Sequence, residues 1–259
     1  MWLKHGSRWI GRILPILILT LLWACQSPRT LSQPPLQPFR VEPVRPVDEL
    51  RAKALEASPP SEAGTFLAPD LVELSGLDPT LQFDIRYATS RNFLGVPVYE
   101  HPMAFLERPA AYALLAAHRQ LANRGLGLLV FDAYRPWYVT KIFWDATPDN
   151  LKEYVANPAQ GSRHNRGCAV DVTLYDLKTG VPLPMTSGYD EFSERAHVDF
   201  PGGSQEERTN RQLLQQVMQE HGFLPYASEW WHFDFHDWRR YPILNLTFEE
   251  LDQEQASTP

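Results

Sequence analysis

Cysteine is nearly missing from this chain. Only Cys25 and Cys168 occur in 259 residues; if the first carries a lipid, the second has no partner, no internal disulfide braces the fold, and a packed core must do so. Several catalytic signatures are also absent. There is no Ser-x-x-Lys and no Gly-x-Ser-x-Gly, which excludes the familiar serine nucleophiles. There is no His-Glu-x-x-His helix and no phosphate-binding glycine loop. Internal repeats are lacking. Positive charge is scarce: 24 Lys and Arg against 31 Asp and Glu give a net charge of -7, which argues against nucleic acid or an anionic lipid surface as partner. The one long apolar run, Ile13 to Trp23, falls short of the roughly 20 residues that span a bilayer.

That run follows Lys4, Arg8 and Arg12, and the whole has signal-peptide proportions. It ends in Leu22-Trp23-Ala24-Cys25, which resembles a bacterial lipobox, where the cysteine is lipidated and becomes the mature N-terminus. An uncleaved anchor and ordinary secretory cleavage are the competing readings. Residues 1–24 are therefore expected to be a lipoprotein signal peptide and Cys25 the lipidation site. Their removal takes away three positive charges and no negative ones, moving the net charge to -10. The expected location is the periplasmic side of a membrane, held by the N-terminal lipid. Gln26 in place of aspartate points to the outer membrane if the host is Gram-negative.

Pro28, Pro34, Pro35, Pro38, Pro43 and Pro46 then mark an extended spacer. The expected organisation is a Pro-rich tether over 25–66 with a short helix around Glu49–Glu56, one domain over 67–252, and a frayed tail over 253–259. Within the domain, Leu81 to Tyr87 alternates as a half-buried strand does. Pro109 to Leu126 reads as a helix with the stripe Ala111, Leu114, Leu115, His118 and Leu121, ended by Gly125. Leu128 to Phe131 reads as a buried strand, Trp137 to Ala146 as a helix, and Gly167 to Tyr175 as a strand. Ser204 and Glu207 form a capping box opening a helix to Gly222, with Leu213, Leu214, Val217 and Met218 inward. Trp231 to Phe235 is the last strong strand. Helices and strands interleaved without βαβ spacing predict an α+β domain with a mostly antiparallel sheet flanked by helices.

Two segments carry chemistry. In the first, strand alternation puts Ala169, Asp171 and Thr173 on one face, and Cys168, Val170 and Val172 on the core face. Asp171 then lies among buried residues, where an unpaired carboxylate is costly and a metal ion would satisfy it. His164 precedes it, and Gly167 permits the turn that brings the imidazole back. A loop histidine with an Asp–Arg pair is the bland alternative. In the second, Glu229-Trp230-Trp231-His232 holds an acid and an imidazole three apart. A regular strand sends these to opposite faces, so a shared site requires Glu229 to precede the strand or a bulge to re-aim it. Asp234 and His236 are competing ligands on the His232 face. Together the segments offer the three N/O ligands and spare base that a hydrolytic zinc ion needs. Arg135, in the loop after the buried strand, could hold an oxyanion or a carboxylate, or merely pair with Asp132 or Asp84.

Ser162-x-His164-x-x-Gly167-x-Ala169-x-Asp171 followed by Glu229-x-Trp231-His232 resembles the zinc D-alanyl-D-alanine dipeptidases, the VanX-like branch of the peptidase M15 family, related in fold to D,D-carboxypeptidases and the hedgehog signalling domain. The likeness runs from about Phe83 to Leu251. It includes Asp84-x-x-Tyr87-Ala88-Thr89-x-x-Asn92-Phe93, Asp132-x-Tyr134-Arg135-Pro136 and Glu194-Arg195-Ala196-His197. Cys168 departs from the small residue common there. The resemblance implies one zinc ion held by His164, Asp171 and His232, with water at the fourth position. It implies Glu229 as general base and Arg135 as oxyanion stabiliser. It implies contact of Tyr87, Ser162 and Asp190 with a small D,D-dipeptide, Asp190 pairing with the free ammonium. The expected activity is hydrolysis of free D-Ala-D-Ala in cell-wall metabolism, with salvage of wall fragments the favoured role for an exported enzyme. A zinc D,D-carboxypeptidase and a non-catalytic, zinc-stabilised wall-binding lipoprotein are the rivals.

Overall fold

The computed structural model describes residues 1–2 and 39–257. The chain divides into two units, Met1–Pro35 and Leu36–Pro259. The export signal, Cys25 and the first part of the expected tether lie outside the described residues, and the elements of the fold all belong to the second unit. Among the described residues no helix is long and apolar enough to cross a membrane.

The elements run in the order α1 (Val47–Glu56), β1 (Leu71–Glu73), β2 (Gln82–Phe83), β3 (Phe105–Glu107), α2 (Arg108–Ala122), β4 (Leu126–Asp132), α3 (Trp137–Ala146), β5 (Ala169–Asp176), α4 (Gln205–Glu220), β6 (Phe223–Tyr226), β7 (Glu229–Phe235) and α5 (Phe248–Ser257). The main sheet has the order β2-β4-β5-β7-β6, and β1 pairs with β3 in a separate ribbon. Only the β2–β4 pairing is parallel, so the sheet is mostly antiparallel in an α+β domain, as the pattern predicted.

One face of the central strands carries Leu128, Val130, Val170, Val172, Leu174 and Phe233, all fully buried. Helices α2 and α4 pack against this sheet and each other. In α2 the buried stripe is the expected one, with Ala110 and Ala117 added. His118 at its centre accepts the Leu128 N–H through Nδ1 and meets the Thr80 hydroxyl through Nε2, tying helix to strand. Helix α4 opens with the full Ser204–Glu207 capping box and buries Leu214, Val217 and Met218, while Leu213 stays half-buried.

Three boundaries differ from the sequence reading. The expected strand over residues 81–87 shrinks to β2, because a 3-10 turn at Arg86–Ala88 swings Tyr87 inward. The expected tether over 25–66 is folded from residue 39 onward: Val41, Val47, Leu50 and Ala54 join the core, and α1 packs on α3. Prolines in this stretch fix a route along the domain rather than into solvent. The tail expected to fray from 253 continues as α5 to Ser257, anchored by buried Phe248 and Leu251 and capped by Thr247 with Glu250.

Candidate metal centre and active site

The site grows from two irregularities in otherwise regular strands. Between β4 and β5 the register shifts after Val130, so that Asp132 rather than Phe131 faces Asp171. Such a bulge re-aims a side chain next to a functional centre. Between β6 and β7 the register shifts again: Pro225 pairs with Phe233, yet the next residue, Tyr226, pairs with Glu229. This bulge is the device that the three-residue spacing of Glu229 and His232 required. It leaves Glu229 Oε2 3.7 Å from His232 Nδ1.

Asp171 and His232 are direct cross-strand partners, so their side chains rise from one face. His164 joins them from a 3-10 turn, His164–Arg166, closed by Gly167 at φ +61°. The positive φ favours glycine here, and a Cβ on Gly167 would also lie 3.3 Å from the Glu107 backbone nitrogen. His164 Nδ1 donates to the Ala133 carbonyl at 2.6 Å, which turns Nε2 inward. His232 is held from behind by Asp234, Nε2 to Oδ1 at 2.9 Å, which turns Nδ1 inward.

The inward atoms are close. His164 Nε2 lies 3.0 Å from His232 Nδ1 and 3.4 Å from Asp171 Oδ1, and His232 Nδ1 lies 3.1 Å from that oxygen. Ligands about 2.0–2.1 Å from one tetrahedral ion sit roughly 3.3 Å apart, so the spacing fits zinc. Asp171 Oδ1 is buried without a hydrogen-bond partner, while Oδ2 accepts from the Tyr189 hydroxyl at 2.9 Å. Burial by itself would raise the Asp171 pKa, but the two imidazoles outweigh it and hold the carboxyl well below its ordinary range. Of the competing ligands, Asp234 takes the outer nitrogen of His232 instead, and His236 is exposed beside Asp237.

A cavity of about 650 Å³ opens over these atoms, lined also by Tyr87, Arg135, Ser162, Asp190 and Glu229. Arg135 is buried and donates Nε and Nη2 to Asp132 Oδ2 at 3.0 and 2.7 Å, leaving Nη1 without a protein acceptor among the described residues. Arg135 thus pairs with Asp132 and lines the cavity. Asp84 is engaged elsewhere by Arg86 and Arg91. Asp190 has φ +57°, unusual for a residue with a Cβ. Its Oδ1 accepts from the Tyr87 hydroxyl at 3.0 Å, and its buried Oδ2 has no partner. Burial, then the charge of Asp171, pushes the Asp190 pKa well up. Burial likewise lifts Glu229 to about 7, with His232 opposing. Ser162 Oγ accepts the His164 N–H at 3.2 Å, so the hydroxyl also steadies the ligand turn.

Residues 68–251 match the D-ala-D-ala dipeptidase family of peptidases, Peptidase_M15. The chain belongs to that family. A D-alanyl-D-alanine dipeptidase of Escherichia coli (strain K12) is 37% identical over 68% of this chain and 89% of its own length. One from Enterococcus faecium is 38% identical over 61% of this chain and 87% of its own. A solved LD-carboxypeptidase, LdcB, is similar at 20% identity and a TM-score of 0.35 over 68% of this chain and 69% of that one.

For a dipeptidase of this family, the side chains that meet at the centre were legible in the sequence, but those that aim them were not. Tyr189, Asp132, Tyr99 and Asp234 hold Asp171, Arg135 and His232 in place; Tyr99 donates to Asp132 Oδ1 at 2.6 Å. Asp132 was legible only as a partner for Arg135 and Asp234 only as a competing ligand, neither as a group that aims the centre. Nothing local marks Tyr99 or Tyr189. Cys168, the departure from the family pattern, is fully buried, and burial pushes its thiol up. It immediately precedes β5 and does not line the cavity.

Proposed function

We propose that this chain is an exported zinc D-alanyl-D-alanine dipeptidase that hydrolyses free D-Ala-D-Ala in cell-wall metabolism. The observation that carries the reading is the pairing of two buried, unpartnered carboxylate oxygens in one cavity: Asp171 Oδ1 between inward imidazoles, and Asp190 Oδ2. The first suits a divalent cation and the second an ammonium, and a free dipeptide carries an ammonium beside its scissile bond.

His164, Asp171 and His232 would hold zinc, which when bound lowers the pKa of water to about 7 and polarises a carbonyl. Asp190 and Tyr87 receive the substrate ammonium, whose charge draws Asp190 into the ionised form that burial opposes, fixing the scissile carbonyl near the ligands. Glu229 takes a proton from the attacking water and passes it to the leaving nitrogen as the C–N bond breaks, freeing two alanines. Arg135 Nη1 donates to the developing oxyanion, its guanidinium held by Asp132. A peptide with an acylated N-terminus has no charge for Asp190, which separates this activity from a D,D-carboxypeptidase on wall stem peptides. The signal-like segment and Cys25 support export and a lipid anchor, and export favours salvage of wall fragments over action on cytoplasmic pools.

Protein lacking residues 1–24 should split D-Ala-D-Ala, lose activity to a chelator and regain it with zinc. Glu229→Gln should lower kcat roughly 10²- to 10⁴-fold at unchanged zinc content. Turnover of an N-acylated tripeptide in preference to the dipeptide would reject the reading. Glu229 must be ionised to act, so kcat/KM should fall as pH drops. A bound cation favours the ionised form, placing that limb below the pH of about 7 set by burial and the neighbouring side chains.

A further inference from the structure

Residues 39–66 precede the family match, which begins at residue 68, yet they touch the site at two separate points. The first is Glu62. Its Oε1 accepts from Arg166 Nη2, and its Oε2 accepts the Ile243 N–H at 2.6 Å. Arg166 closes the 3-10 turn that carries His164 and is itself buried, with Nη1 on the Tyr241 carbonyl and its guanidinium 5.5 Å from the Trp238 ring. Next along the same strip of chain, the Leu244 N–H donates to the Asn165 carbonyl at 2.8 Å. Glu62 therefore fastens the His164 turn to residues 241–244 and supplies the countercharge of a buried guanidinium.

The second point is Phe39. Its ring lies 4.9 Å from Phe192, which stacks on Tyr154 at 4.9 Å and tilts against Phe93 at 5.2 Å. Phe192, Tyr154 and Phe93 line the cavity, and Phe192 is two residues past Asp190 with its strained backbone. Between these points the segment is pinned by Val41 N–H to the Phe93 carbonyl at 2.8 Å and by Arg51 to the carbonyls of Pro97 and Val98, both at 2.9 Å.

We infer that the segment ahead of the family domain is a working part of the active site, with Glu62 a positioning residue for the ligand His164 and Phe39 a positioning residue for the Asp190–Phe192 wall. This rests on the zinc dipeptidase reading. A guanidinium deprived of its buried partner seeks another, and the ligand turn moves with it. Loss of Phe39 frees the aromatic wall behind Asp190 without touching the ligands.

The two contacts should therefore fail differently. In otherwise intact protein, Glu62→Gln should weaken zinc binding roughly 10- to 100-fold, as other outer-shell changes do, read by competition with a chromogenic chelator. Its KM for D-Ala-D-Ala at saturating zinc should stay near that of the wild type. Phe39→Ala should leave zinc affinity alone and raise KM roughly two- to tenfold, the scale of one aromatic contact. The double variant Glu62→Gln/Arg166→Met, which removes the unpaired charge, should recover zinc affinity if the charge drives the displacement. If both single variants lower the melting temperature equally with and without zinc, while zinc affinity and KM hold, the segment is only a brace and the inference is wrong. Wild-type protein that binds zinc but leaves the dipeptide intact would sink the dipeptidase reading, with the zinc measurement still deciding Glu62. Wild-type protein that binds no zinc would overturn both.

Discussion

Tyr189 donates its hydroxyl to Asp171 Oδ2 at 2.9 Å, on the far side of the carboxylate from His164 and His232. One oxygen is thereby spent on the protein while the other faces the two imidazoles with nothing bound to it. Burial raises the Tyr189 pKa well above the ordinary phenol value, so it remains a donor at any working pH.

Tyr189→Phe removes that bond and little volume. Zinc affinity should drop roughly 10- to 100-fold, with the metal-free protein losing about 1 kcal/mol of stability. Competitive zinc titration tests this, and an unchanged dissociation constant would show that Asp171 is oriented by the strand alone.

Asp190→Asn keeps the shape of the group and the Tyr87 contact but removes the charge. A charged hydrogen bond contributes roughly 1.5–3 kcal/mol, so KM for free D-Ala-D-Ala should rise about ten- to a hundredfold. An N-acetylated dipeptide should respond little. Equal effects on both substrates would mean that Asp190 does not read the ammonium.

Glu107 offers a pH test beside the ligand turn, its N–H donating to the Gly167 carbonyl at 2.8 Å. It is fully buried, its Oε2 accepts the Asp70 N–H at 2.8 Å, and its Oε1 has no partner. Burial raises its pKa from 4.5 to about 7. The folded protein therefore holds this proton where the unfolded chain has lost it, and stability falls as pH rises from about 4.5 through 7. The shift corresponds to roughly 3 kcal/mol by about pH 8. Glu107→Gln should abolish this component, narrowing its gap to wild type at about pH 5 and exceeding wild type at about pH 8. Chemical denaturation at the two pH values measures it, and parallel curves would show that Glu107 is already paired.

Much of the site was written in local spacing. Asp171 was legible because alternation along β5 forced a carboxylate into a buried strand, and the Glu229–His232 spacing announced that β7 must break its register. Family resemblance then supplied roles for Tyr87, Ser162 and Asp190 that no local pattern could. Helix α3 and the α4 capping box were equally plain, since their determinants lie within one turn of each other.

What tertiary structure alone decided were the contacts between residues far apart in the chain. Tyr99 on Asp132 and Glu62 on Arg166 join segments 33 and 104 residues apart. The sequence marks a short helix and proline breaks in residues 39–66, but whether they hang free or lie on the domain depends on surfaces contributed by α3, Phe93 and Phe192. Periodicity determines which face of an element is buried. Which partner meets that face, and which buried carboxylate oxygen is left without a hydrogen bond, is settled only when the whole chain competes for the same interior.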